Sequence, residues 1–212
     1  IPVLAEERQD SDPLIFGGGP VLTANPEPFA TFFDLILLGD GENLLPDFIN
    51  TYQSVRGLNR DQQLERLAQL PGVYVPSLYC VTYGSPTGAI SAITPISDAI
   101  PPQVQKQTYR GNVLSASTVV TEKAAWENIF MVEVVRSCPE MCRFCLASYL
   151  TLPFRPADTQ TSLLPAIAQG LTVTNRLGLL GASVTQHPEF SELLTYLGQP
   201  QFDDVRVSIA SV

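Results

Sequence analysis

Asn128-Ile129-Phe130-Met131-Val132-Glu133-Val134-Val135-Arg136-Ser137-Cys138-Pro139-Glu140-Met141-Cys142-Arg143-Phe144-Cys145 is the stretch on which the reading of this chain turns. Ile129, Phe130, Val132, Val134 and Val135 crowd its first half, and such a run of β-branched and aromatic residues predicts a buried strand over 128–135. The second half puts three cysteines within eight residues, at spacings of four and three. Their thiolates converge on one site if the loop curls round it. Soft ligands of this kind suit zinc or an iron–sulfur cluster. Structural zinc wants a fourth protein ligand, for which Cys80 and the sole histidine, His187, are the candidates. A four-iron cluster held by three cysteines instead leaves one iron open to a substrate or cofactor. A loop following a strand is where α/β barrels place their chemistry.

Beyond the cysteines the pattern alternates. Ser162–Asn175 predicts a helix with Pro165 in its first turn, Leu177–Leu180 a strand, Pro188–Leu197 a helix and Val205–Ile209 another strand. Three strands do not close a barrel, so the segment is expected to be part of a longer protein. Before the cysteines, Leu14-Ile15-Phe16 predicts a strand entering the turn Gly17-Gly18-Gly19-Pro20. Asn25 is a candidate cap for a helix from Pro26 through Phe33. Leu35–Leu38 predicts a second strand, and 43–54 a second helix. Continuous apolar strands alternating with helices argue for a parallel sheet. Between these parts lies a proline-rich stretch with a helix expected over 61–69 and short strands over 77–83 and 88–94. The expected organisation is therefore an α/β domain end over 1–56, an irregular proline-rich connector over 57–125 that wraps its neighbours, and the first strands of a partial (β/α) barrel over 126–212.

Composition narrows the function. Charged residues are 16% of the 212, against about 25% in an average domain, while 45% are hydrophobic. That supplies ample core and argues against wholesale disorder. The net charge of −9, with no cluster of Lys and Arg, argues against nucleic acid as a partner. No run of 18 or more apolar residues is present, so no spanning helix and no membrane partner are expected. Ile1–Arg8 lacks a signal-peptide pattern and an initiating Met, so preceding residues are expected. A tight cysteine trio in a chain with only four cysteines reads as a reduced, cytoplasmic metal or redox site rather than a disulfide scaffold. Cys80 is expected to be a buried apolar side chain, and His187, before Pro188, a turn or helix-start residue.

The Cys138-x3-Cys142-x2-Cys145 spacing, with aromatic Phe144 just before the last cysteine, resembles the signature of radical S-adenosylmethionine enzymes. The flanks 132–137 and 146–155 resemble that family's first strand and cluster loop. Gly178–Ser183 followed by His187-Pro188-Glu189 resembles its second strand and turn. Gly17–Pro20, Asn25–Pro28 and Gly39–Glu42 resemble the end of the cobalamin-binding-type, Rossmann-like domain that precedes the barrel in one branch.

The resemblance implies a [4Fe–4S] cluster on Cys138, Cys142 and Cys145. S-adenosylmethionine would chelate the open iron, to be cleaved reductively to methionine and a 5′-deoxyadenosyl radical. It implies Phe144 beside the adenine and Gly181, Ala182 and Ser183 near the methionine end. It also implies a small-molecule or other substrate and an electron donor such as flavodoxin or ferredoxin. The family often carries Gly-Gly-Glu where this chain reads Gly181-Ala182-Ser183, so a glutamate contact is lost. The Asp-x-His-x-x-Gly cobalt-binding motif is absent, and cobalamin is not expected to bind this chain alone. The competing readings are a non-catalytic zinc- or cluster-stabilised binding module and a small-molecule sensor built on the N-terminal part.

Overall fold

The computed structural model describes residues 1–86 and 88–210 and divides into two compact units, Ile1–Tyr109 and from Arg110 onward. The composition-based boundaries at 56 and 125 both fall inside a unit, and Ser211 and Val212, at the end of the expected 126–212 segment, lie outside the described residues. Both units mix helices and strands in sheets with parallel and antiparallel pairings, an α/β class.

In the first unit β1 (Phe16–Gly18) runs parallel to β2 (Leu35–Leu37), with the short helix α1 (Pro20–Ala24) between them. The helix expected over 26–33 is a correction: only one 3-10 turn, Glu27–Phe29, forms there. The helix sits earlier because Gly19, at φ 94°, turns the chain directly into Pro20, whose fixed φ suits a first helical position. Gly17 and Gly18 belong to β1 rather than to the turn. Next come α2 (Gly41–Val55) and α3 (Arg60–Leu67), the latter capped by the Asn59 side chain accepting from the Gln62 N–H. β3 (Val73–Tyr74) then adds antiparallel to β2. Leu35, Ile36, Leu67, Val73 and Val75 form the fully buried centre.

The proline-rich stretch, expected over 57–125 to wrap its neighbours, carries regular elements. Its first part supplies α3 and β3 to this core, and a hairpin follows, β4 (Tyr79–Tyr83) antiparallel to β5 (Ile90–Pro95). Further on, the backbone of Gln107 bonds both Leu38 and Asp40, and the Asp40 carboxylate accepts from the Tyr109 N–H. Cys80 lies on β4 and is exposed, not buried as expected, because β4–β5 has no third layer over it among the described residues.

In the second unit β6 (Phe130–Glu133) is followed by β7 (Val135–Arg136), α4 (Leu146–Leu150) and β8 (Arg155–Pro156). A π-turn over Thr159–Leu163 leads into α5 (Leu164–Leu171), then β9 (Arg176–Leu180), α6 (Phe190–Leu197) and β10 (Arg206–Ile209). β10, β9 and β6 form an all-parallel sheet in that order. The two outer strands flank β9, which is buried at Leu177 and Leu179; Val132, Ile167 and Leu193 of the same unit are also fully buried. Segment 115–117, also placed in the connector by composition, bonds the other edge of β6. No helix among the described residues is long and apolar enough to cross a membrane.

Candidate metal and cofactor site

The cysteines sit on a loop whose two ends are fastened. β7 and β8 pair antiparallel, Val135 with Pro156 and Arg136 with Arg155. The Val134 N–H donates to Leu180 O, and the Ala157 N–H donates to Val134 O. Both stems of the loop are therefore tied to the C-terminal end of the parallel sheet, the edge where open α/β sheets bind ligands.

Inside the loop, polar side chains hold the backbone. Ser137, in the left-handed region at φ 71°, donates its hydroxyl to Ser148 O at 3.0 Å, and both serines are buried. The Tyr149 hydroxyl donates to Met141 O at 2.7 Å. The buried Arg155 donates to the carbonyls of Pro153 and Thr151, closing the loop after the cis Leu152–Pro153 bond. At its start Arg136 forms a bidentate pair with Glu133, both bonds 2.7 Å.

Cys138, Cys142 and Cys145 are all free thiols, each half-buried. Cys145 N-caps α4, and its amide donates to Cys142 O at 3.0 Å. The Ser148 hydroxyl donates to Cys145 Sγ at 3.8 Å. The Cys145 thiol is shifted below its ordinary pKa, first by the Ser148 backbone N–H, then by that hydroxyl, and further by the Ala147 N–H. The amide contacts fall short of a formed cap bond, so their effect is that of N–H dipoles at a helix start on a developing thiolate. Among the described residues no three His, Cys, Asp or Glu side chains are gathered as a metal ion would need. The thiols share one loop, but their sulfurs do not converge in it.

The other expected residues lie around this edge. Phe144 is 91% exposed, with Met141, Leu146 and Tyr149 exposed on the same short stretch. Gly181, Ala182 and Ser183 follow β9 directly. A Cβ at Gly181 would stand 2.5 Å from Val135 Cγ2 and 2.9 Å from Val135 O, so the turn after β9 presses on the stem of the cysteine loop. His187 is buried after a 3-10 turn; its Nε2 lies 2.8 Å from Ala157 O, and its Nδ1 accepts from the Glu189 N–H. An acceptor Nδ1 assigns the proton to Nε2. Both ring nitrogens are thus committed to backbone, which removes His187 as a fourth metal ligand in this arrangement. Cys80, the other candidate, belongs to the first unit.

Sequence reasoning did not single out Ser137, Ser148 or the His187–Ala157 bond. One signal was present: Ser148 stands three residues after Cys145, the spacing at which a cap residue and the third helical residue meet. The first unit holds a cavity of about 400 Å³ lined by Arg8, Phe33, Asp34, Arg60 and Tyr74, and no cysteine of the loop borders it.

Residues 1–76 match the family model described as radical SAM proteins, N-terminal. An uncharacterized protein of Methanocaldococcus jannaschii is 27% identical over 215 residues, covering 99% of this chain and 40% of its own length. The chain therefore spans about 40% of the length of that relative. No solved structure matches. The family match supports placement in the radical SAM superfamily and lies wholly within the first unit, ahead of the cysteine motif.

Proposed function

We propose that this chain is part of a radical S-adenosylmethionine enzyme and that Cys138, Cys142 and Cys145 hold a [4Fe–4S] cluster. The observation that carries the reading is the donor set. Three free thiols lie on one anchored loop at the ligand-binding edge of a parallel sheet, while the ring nitrogens of the only histidine are spent on backbone. Three soft ligands without a fourth suit a cluster with an open iron better than a structural zinc site.

When bound, the cluster supplies the electron that cleaves S-adenosylmethionine to methionine and a 5′-deoxyadenosyl radical. The chain's own residues bind and orient. The α4 amides and the Ser148 hydroxyl hold the Cys145 thiol below its ordinary pKa, which favours its use as a ligand. Phe144 offers an exposed aromatic face to the adenine. The Gly181–Ser183 turn presents backbone groups beside the loop stem. We read the β6–β9–β10 sheet as the beginning of a partial (β/α) barrel, and the first unit as the end of a Rossmann-like, cobalamin-type domain. The first unit contains no histidine, so it offers no imidazole to cobalt, and no role for cobalamin is assigned. A cytoplasmic setting, a small-molecule substrate and an electron donor such as flavodoxin or ferredoxin belong to the same proposal.

Metal analysis tests it. The protein reconstituted anaerobically with iron and sulfide is expected to hold about four irons and four sulfides, and the Cys138, Cys142, Cys145→Ala variant none. Tight stoichiometric zinc in place of iron would favour the binding-module reading.

A further inference from the structure

The cavity of about 400 Å³ in the first unit is large enough for a small organic ligand. Four acidic residues border it against two arginines. The arginines have little left to offer an anion. Arg8 donates to Asp34 and to the carbonyls of Pro2, Val3 and Phe32. Both terminal nitrogens of Arg60 are likewise spent, on Asp34 and on the carbonyls of Gln9, Asp12 and Pro13. The other three acids, Glu6, Glu27 and Asp61, form no ion pair among the described residues. The Tyr74 hydroxyl donates to Glu27 Oε1, which fixes that half-buried carboxylate beside the cavity but leaves its charge without a counter-ion.

Two further observations define the ligand. Among the described residues no three His, Cys, Asp or Glu side chains are gathered for a metal ion, so these carboxylates are too spread to share one bare cation. Arg60, only 8% exposed, keeps one buried N–H, Nε, with no acceptor among the described residues. A buried donor left unpaired is costly, and an oxygen brought by a ligand satisfies it. We propose that the cavity binds a small organic amine that also carries an oxygen acceptor. Glu27, with Glu6 and Asp61, meets the ammonium groups, Arg60 Nε meets the oxygen, and Phe33, Leu64 and Val81 offer apolar wall to the stem. The site lies within the first unit and does not depend on the function proposed above.

Isothermal titration calorimetry of the full chain at about 0.15 M ionic strength tests this, because distant surface charges are largely screened there. The probe is lysinamide, which has two ammonium groups, a four-carbon stem and a carbonyl. One molecule per chain is expected to bind with a Kd of about 1 mM or tighter. Glu27→Gln keeps an oxygen for Tyr74, removes the charge and is expected to weaken binding at least about fivefold. Asp61→Asn, an exposed change that spares the core, is expected to weaken it as well. Asp47→Asn, exposed on α2 and not bordering the cavity, is expected to leave it unchanged, as is replacement of Cys138, Cys142 and Cys145 by Ala. Cadaverine, which has the two ammonium groups but no oxygen, is expected to bind several-fold more weakly. No binding of lysinamide at about 1 mM would overturn the inference. So would equal weakening by Glu27→Gln and Asp47→Asn, which would trace binding to the overall charge of −9. Cadaverine binding as tightly as lysinamide would overturn the role of Arg60 Nε, and loss of binding with the cysteines would overturn the placement in the first unit.

Discussion

The His187 ring bonds Ala157 O at 2.8 Å, which ties the turn after β9 to the segment leaving the cysteine loop. Through this bond, the residues expected at the two ends of a bound S-adenosylmethionine sit on one frame. His187→Ala would strip two hydrogen bonds and leave a buried carbonyl unpaired, at a cost of about 2–4 kcal/mol. Urea denaturation followed by circular dichroism should show that loss. A change below about 0.5 kcal/mol would mean the bond does not organise the site.

Gly181 and Val135 should be energetically coupled. An alanine at 181 would collide with both the side chain and the carbonyl of Val135. Overpacking of this kind costs about 1–3 kcal/mol. In a double-mutant cycle, Val135→Ala should relieve the part due to the Val135 methyl but not the part due to its carbonyl. Strict additivity would show that the turn after β9 does not press on the loop stem in solution.

Asp34 anchors the first unit. Its carboxylate pairs with Arg8 at 2.9 Å and Arg60 at 2.7 Å, all three side chains being buried. It also accepts the Ile15 N–H. Asp34→Ala would leave two guanidinium groups buried without a counter-charge, and a loss of about 3–5 kcal/mol is expected in denaturant titration. A loss below about 1 kcal/mol would indicate that the cluster is hydrated.

Stability of the first unit should fall at high pH. Burial, followed by its bond to Glu27, pushes the Tyr74 hydroxyl well above its ordinary pKa. A raised folded-state value means the contribution is complete below the unfolded pKa of about 10 and is lost as pH rises above it, by up to about 1.4 kcal/mol per unit. Unfolding free energies of wild type and Tyr74→Phe measured from pH 8 to 11 should diverge only above about 10. Parallel curves would contradict the assignment.

What could be read from the sequence depended on how local the cause was. The apolar runs at Leu35–Leu37, Phe130–Glu133 and Arg176–Leu180 gave their strands directly, because a buried parallel strand needs little beyond its own side chains. The cysteine spacing marked the candidate site for the same reason. By contrast, β7 and β8 are two residues each, paired across 18 intervening positions, and no local pattern announces them. β3 is equally short and joins its sheet only because α3 returns the chain to β2. The Ser137–Ser148 and His187–Ala157 bonds depend on loop closure in three dimensions, so single residues in the sequence carry almost no sign of them.

The most direct test of the account is low-temperature EPR of the anaerobically reconstituted, dithionite-reduced protein, recorded with and without S-adenosylmethionine. The account predicts a [4Fe–4S] signal that requires Cys138, Cys142 and Cys145 and that changes when S-adenosylmethionine is added. A cluster signal that survives replacement of those cysteines, or one that is indifferent to S-adenosylmethionine, would contradict it.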